Sequence, residues 1–166
     1  MLLKIISGGQ TGADRAALDA ALAKDFPVGG SCPVGRMAED GVIDLCYSLV
    51  EFGEGYPPRT RKNVLDADGT VIFYESDLNG GTKATLEICI EREIPYILID
   101  RRELTVAQAA GLLEQFISEA GIEILNVAGP RASKSPQIYP YVKQVLEQVI
   151  MQSIQTVETL RAKECE

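Results

Sequence analysis

Three stretches of this chain set glycines beside hydroxyl, amide or cationic side chains, each directly after a short apolar run. The first is Ser7-Gly8-Gly9-Gln10-Thr11-Gly12-Ala13-Asp14-Arg15. Its Ser-x-Gly-x-x-Gly spacing is a near miss to the dinucleotide fingerprint. Gly8, Gly9 and Gly12 let a backbone approach a phosphate with no Cβ in the way, and Gln10 and Thr11 add side-chain hydrogen bonds. The acidic residue that would hold a ribose about 20 positions on is missing. Pro27-Val28-Gly29-Gly30 stands there, which disfavours NAD. The plainer alternative is a tight turn with Thr11 and Asp14 as a capping box, and Asp14 alone reads as a cap.

The second stretch is Asn79-Gly80-Gly81-Thr82-Lys83-Ala84-Thr85-Leu86-Glu87. Gly81 or Thr82 is expected to cap a helix here, with Thr82 and Thr85 presenting hydroxyls on one face. Glu87 lies deeper in that helix, as a ligand contact or an exposed charge. The third stretch, Gly129-Pro130-Arg131-Ala132-Ser133-Lys134-Ser135-Pro136, mimics the tail of a P-loop but lacks the glycine before the lysine. Its Arg131, Ser133 and Lys134 suit anion capture, or a solvated loop. After Tyr56-Pro57-Pro58, Arg59, Thr60 and Asn63 open a helix, with Arg59 and Asn63 on one face. Arg36, Glu39 and Asp40 form a lid or are simply loop charges.

The elements that must position these loops alternate. Strands are expected at Leu2–Ile6, Ser48–Phe52, Gly69–Tyr74, Tyr96–Ile99 and Ile122–Val127. Helices are expected at Ala13–Lys24, Tyr56 to about Asp66, Thr82–Arg92, Thr105–Ala120 and Gln137 to about Ala162. The first is alanine-rich, able to pack close to a sheet. Residues 27–47 read as irregular. The rhythm predicts an α/β, Rossmann-like, doubly wound and mostly parallel sheet with helices on both faces. In such a sheet, ligands bind beyond the carboxyl ends of the strands, at helix N-termini whose free N–H groups favour anions. The final helix would span roughly 39 Å, more than a small domain can cover, so either its far end packs on another subunit or its first half simply caps the core.

The 166 residues suit one domain, 1–166, and can bury roughly 70% of the unfolded surface. Apolar residues are 46% and charged residues 24%, which excludes disorder as the main state. Net charge −8 argues against nucleic acid and anionic membrane as partners, and no 18-residue apolar run exists to span a bilayer. The N-terminus is too short for a signal peptide before its glycine loop, so a cytoplasmic location is expected. There is no histidine, which removes Ser-His-Asp chemistry and every His-containing metal site. Cys32, Cys46, Cys89 and Cys165 form no C-x-x-C pair, so reduced thiols are expected. Cys32, in Gly-Gly-Ser-Cys-Pro, is the best candidate for a functional thiol.

Residues 7–19 (SGGQTGADRAALD), 32–41 (CPVGRMAEDG), Arg59-Thr60-x-x-Asn63-Val64, Gly80-Gly81-Thr82-x-x-Thr85 and 126–134 (NVAGPRASK) together resemble the molybdenum (molybdenum cofactor) carrier family. This is the circularly permuted branch of the SLOG nucleotide-binding superfamily. The resemblance covers nearly the whole chain up to the final helix. It implies a Rossmann-like fold, ligand binding at the glycine loops and a homo-oligomer, dimer or tetramer. It also implies molybdenum cofactor as cargo, a phosphorylated pterin that carries its metal on dithiolene sulfurs. Such a metal needs no protein cage, which suits a histidine-free chain. A second resemblance is to the SLOG phosphoribohydrolases, whose Pro-Gly-Gly-x-Gly-Thr-x-x-Glu pattern Gly80, Gly81 and Glu87 match, with Arg59 at the arginine position. Asn79, Lys83 and Ala84 stand where that pattern has proline, glycine and threonine.

The expectation is therefore a binding protein for a small phosphorylated pterin- or nucleotide-like ligand. Amides of loops 8–12 and 80–82 would hold the phosphate, flanked by Gly129, Arg131, Ser133 and Lys134 on one side and Arg59, Thr60 and Asn63 on the other. The alternative is a nucleoside 5'-monophosphate phosphoribohydrolase. There Arg59 would bind phosphate and Glu87 would stabilise the ribosyl cation.

Overall fold

Five parallel strands carry the architecture of the computed structural model, which describes residues 1–164. They are β1 (Lys4–Ser7), β2 (Val28–Gly29), β7 (Gly69–Tyr74), β8 (Tyr96–Asp100) and β9 (Ile124–Ala128), in the spatial order β2-β1-β9-β7-β8. The last strand in sequence thus enters the middle of the sheet. Ser7 pairs with Val127 on one side of β9, and Ile72 with Ala128 on the other. The fold is Rossmann-like α/β, as its alternating pattern predicts.

Side chains alternate across the sheet, so each strand feeds two cores. Ile5, Val71, Phe73, Ile99, Leu125 and Val127 face one layer. That layer holds α1 (Ala13–Leu22), α4 (Val106–Glu119) and α5 (Ile138–Glu164). Buried Ala13, Ala16, Ala17, Ala20 and Ala21 let α1 approach both the sheet and α5 closely. Thr70, Ile72 and Asn126 alternate with that set, toward the face covered by α2 (Tyr56–Leu65) and α3 (Gly80–Glu91). Asn126 donates to Thr70 Oγ1 at 3.3 Å, joining β9 to β7 within the sheet.

Local signals set the helix ends. Thr105 accepts the Gln108 amide while the Gln108 side chain accepts the Thr105 amide, a reciprocal cap that starts α4 one residue after Thr105. α3 starts at Gly80 rather than Thr82, with Asn79 at the N-cap and no side-chain cap. In α5, burial is continuous with the core through Ile150, while Met151 and Leu160 beyond it are exposed. The far end of this 27-residue helix therefore overhangs the chain's own core.

The segment expected to be irregular is the main correction. Residues 27–52 contain β2 at the sheet edge and a small lobe. In the lobe, β3 (Ser31–Cys32) pairs with β6 (Val50–Glu51), and β4 (Met37–Ala38) with β5 (Gly41–Val42). Two-residue strands leave no periodicity to read. The lobe has its own core of Cys32, Ala38, Ile43 and Leu49 packed on Leu18 of α1. Arg36 holds it together, donating to the carbonyls of Ile43, Leu49, Asp44 and Tyr47 at 2.8–3.1 Å. Cys32 is fully buried, and burial pushes its thiol up, so it has the character of a packing residue. Cys165 lies outside the described residues.

Removing the Arg36 clamp leaves those carbonyls without a charged donor. Arg36→Met is expected to lower the unfolding free energy by about 2 kcal/mol, read by urea denaturation. An unchanged midpoint would show that the lobe does not depend on the clamp.

Candidate functional site

The exits of β1, β7 and β9 meet because these strands are neighbours. Their connections diverge: β1 leads through α1 on one face, β7 through α3 on the other. A crevice forms where the two helices part, at the carboxyl ends of the strands. Here it is a cleft of about 410 Å³. Gly8, Gln10 and Asp14 line it from the first exit, Asn79 to Thr82 from the second, and Ala128 to Arg131 with Lys134 from the third. α2 adds Tyr56, Pro57, Arg59, Thr60 and Asn63. Apolar walls come from Tyr56, Pro57, Ala84, Ile88, Val127 and Pro130.

Arg59 reaches across from α2 to the first loop. Its Nη1 donates to Asp14 Oδ2 at 2.9 Å, with side chains only 11% and 7% exposed. A Cβ on Gly8 would lie 1.3 Å from that Nη1, so Gly8 is small because the guanidinium occupies its side-chain space. Tyr56 places its ring 5.6 Å from the guanidinium carbon. Nε is buried and has no partner among the described residues. Leaving such a donor unpaired costs on the order of 1–3 kcal/mol. Burial pushes the Asp14 carboxyl up and Arg59 opposes that shift, the net position being above its ordinary value. Asp14 thus positions Arg59 through a single-point contact while leaving the rest of the guanidinium available.

The N-terminus of α3 forms the opposite side. The amides of Gly80, Gly81 and Thr82 make no hydrogen bonds among the described residues, and no carboxylate stands in the first turn. Lys134 lies over this helix end. Its Nζ donates to Asn79 Oδ1 at 3.3 Å and would sit 3.1 Å from a Cβ on Gly80, whose φ is +52°. A cation beside the positive end of a helix is unfavourable unless a negative group comes between them. Thr82 is buried in this turn, and Thr85 Oγ1 donates to the Gly81 carbonyl at 2.9 Å.

In the first loop, three of the amides beside the glycines are committed to the protein itself. The Gln10 amide goes to Asp14 Oδ2 at 3.4 Å, the Thr11 amide to Gln10 Oε1 at 3.0 Å and the Ala13 amide to the Pro130 carbonyl at 3.1 Å. Gly12, with φ +79°, allows the third loop to close in, since a Cβ there would meet the Pro130 oxygen at 2.3 Å. Gly9 makes room for Leu49 and Ile43 of the lobe. Neither Thr11 and Asp14 nor any other side chain caps α1.

Glu39 from the lobe fastens the first loop to the third. Thr11 Oγ1 donates to its carboxylate and accepts the Ala132 amide at 3.1 Å. Ser133 donates to it through its amide at 3.1 Å and its hydroxyl at 2.6 Å, and Arg131 Nε lies 3.7 Å away. Partial burial raises the Glu39 pKa, but the Ser133 and Thr11 hydrogen bonds and Arg131 outweigh it, holding the carboxyl below its ordinary range. Asp40 pairs with Arg15 at 3.2 Å. The charges read as lid or loop are therefore braces.

Of the residues expected at the site, Gly8, Gln10, Arg59, Thr60, Asn63, Gly80, Gly81, Thr82, Thr85, Gly129, Arg131 and Lys134 line the cleft together. Gly9, Thr11, Gly12 and Ser133 support its rim instead. Asn63 uses both ends of its amide on the Ser31 backbone, at 2.7 and 2.9 Å, and so ties α2 to the lobe. Thr60 donates to the Tyr56 carbonyl at 2.9 Å. Glu87 is corrected most clearly. It points away from the cleft, 64% exposed and 3.8 Å from Lys83, so the ribosyl-cation role expected of it has no counterpart in the geometry. Sequence reasoning missed Tyr56, Ile88 and Asn126, and gave Asp14 only a capping role. A lone aspartate in the first turn of a helix carries no signal of a partner 45 positions away.

The sequence matches the circularly permutated YpsA SLOG family over residues 5–150. Among solved structures, it is similar to the crystal structure of a putative molybdenum carrier protein from Syntrophus aciditrophicus SB. The two share 44% identity with a TM-score of 0.87, over 89% of this chain and 94% of the other. No curated protein matches the sequence.

Two outcomes follow from the geometry. Gly8→Ala displaces the Arg59 guanidinium and is expected to destabilise the fold by about 1–3 kcal/mol in urea unfolding. A stable variant with unchanged unfolding would mean that the guanidinium relocates freely. Glu39 has a lowered folded-state pKa, so the stability it contributes is present above its unfolded value, near 4.5, and is lost as pH falls through the lower folded value. Protection of the Ala132 and Ser133 amides, taken relative to their intrinsic exchange at each pH, should therefore fall below that range. Glu39→Gln should show fast exchange at neutral pH, whereas slow exchange in the variant would contradict the brace.

Proposed function

This chain belongs to the circularly permuted YpsA SLOG family, and on that premise we propose that it is a carrier for a phosphorylated, flat heterocyclic cargo of the molybdenum-cofactor or nucleotide class. One observation carries the reading: Arg59, whose buried Nε is unpartnered among the described residues, lines the same cleft as the uncapped N-terminus of α3 and Lys134. These groups offer donors and positive potential to a phosphate, with Asp14 on Arg59 the one carboxylate among the lining residues. The walls of Tyr56, Pro57, Ile88, Val127 and Pro130 suit the faces of a planar ring. The Syntrophus relative's name, a molybdenum carrier, supports the choice of cargo.

No group of three or more His, Cys, Asp or Glu residues that could hold a metal occurs among the described residues. The chain's own contribution is thus to grip a phosphate and a ring, and molybdenum would travel on the sulfurs of its pterin. The proposal includes a homo-oligomer, a dimer or tetramer, since α5 extends past the core it covers. Nucleic acid is not expected as a partner of an acidic chain of net charge −8. No helix among the described residues is long and apolar enough to cross a membrane.

Isothermal titration with molybdopterin, AMP and inorganic phosphate tests the reading. At least one phosphorylated compound should bind, and Lys134→Ala and Arg59→Lys should each weaken it about tenfold or more. Arg59→Lys keeps the charge beside Asp14 while removing the planar fork. Failure of all three compounds to bind at millimolar concentration would overturn the proposal.

A further inference from the structure

A second chamber of about 280 Å³ adjoins the cleft on the far side of the α3 N-terminus. Asn79, Thr82, Pro130 and Lys134 line both, so the two spaces meet at the proposed phosphate position. The remaining walls differ from those of the cleft. Tyr74, Glu75, Ser76, Asp77 and Ser135 each bear a hydroxyl or a carboxylate.

The charges in this chamber limit what can enter. Glu75 is engaged by Arg101 at 2.5 Å and by the Ser135 hydroxyl, and both hold its carboxyl below the ordinary range. Asp77 is exposed, and its carboxylate forms no hydrogen bond or ion pair among the described residues. Burial and the charges of Asp100 and Glu103 keep Tyr74 a protonated phenol, able to donate. A second anion would meet the unpaired Asp77 carboxylate, while Arg101 is committed to Glu75, Arg102 donates to Ser76, and Lys134, the lining cation, is shared with the phosphate position. A metal ion would find too few acidic groups. An apolar group would strand the polar walls unpaired. A neutral group with several hydroxyls satisfies them, donating to Asp77 and accepting from Tyr74 and Ser76.

We propose that this chamber is a subsite for a polyhydroxylated arm of the ligand, a pentose or a similar sugar, joined to the phosphate held between Lys134 and the start of α3. The inference rests on the phosphate reading above and narrows it. The cargo extends on both sides of its phosphate, with a flat ring in the apolar cleft and a sugar in the polar chamber. Such a cargo is a phosphodiester or pyrophosphate ester rather than a simple monoester.

The test is titration of the full chain with inorganic phosphate and with ribose 5-phosphate, in the natural sequence and in Asp77→Ala. Asp77 is an exposed loop residue, so the variant is expected to fold. Ribose 5-phosphate should bind about tenfold more tightly than phosphate, consistent with hydrogen bonds to an ionised carboxylate. Asp77→Ala should abolish that advantage and leave phosphate binding unchanged. If phosphate binds but the sugar adds nothing, or the advantage survives in the variant, the sugar subsite is wrong and the anion site stands. If neither compound binds, the phosphate reading itself fails and the subsite falls with it.

Discussion

Insertion of β9 between β1 and β7 is the constraint on which the site depends. Parallel pairing aligns the carboxyl ends of three strands whose exits are far apart in sequence. Ser7 opposite Val127 and Ile72 opposite Ala128 bring the exits level, and Leu125 and Val127 anchor β9 in the core beneath α1 and α5. Because α1 and α3 leave on opposite faces, the aligned exits part into a crevice. Packing of this kind, driven by burial of apolar side chains, is what gives later polar contacts a fixed geometry.

Within that crevice the electrostatics run against the character of the whole molecule. The chain is acidic overall, yet Arg59, Lys134 and the free amides of α3 converge on one space. Arg59 is held by a carboxylate and Lys134 by a neutral amide. Asp14 touches Arg59 through one oxygen, Gly8 gives up a side chain to admit the guanidinium, and Asn79 meets Lys134 with a neutral amide. Glu39, a carboxylate against the third loop, is turned toward Thr11, Ser133 and Arg131 and braces the rim. Lys134 and the start of α3 thereby keep positive potential free of a carboxylate partner in a site already shaped to receive an anion.

Much of the scaffold was legible in the sequence because apolar periodicity reports burial. Gly69–Tyr74 is read to the residue, and the other main helices and strands to within two. The parallel α/β class followed from their alternation. What escaped were features held by polar contacts between distant segments. The lobe of residues 30–52 rests on two-residue strands and on Arg36, neither of which has a period to detect. Asn63 looked like a ligand contact because it shares a helix face with Arg59, but its amide is committed to Ser31. Glycines were located correctly, yet their reasons differ. Gly8 admits Arg59, Gly9 admits the lobe and Gly12 admits the third loop. Strand order, which makes the three exits neighbours, is not written in any local pattern.

The most direct measurement is a nuclear magnetic resonance titration of the chain with inorganic phosphate, following backbone amides and arginine Nε–H signals together. The account predicts that the Arg59 Nε–H and the amides of Gly80, Gly81 and Thr82 shift along one saturation curve, while the amides of Gln10 and Thr11 respond weakly. Shifts confined to other surfaces, or an Arg59 signal that does not move as phosphate saturates, would contradict it.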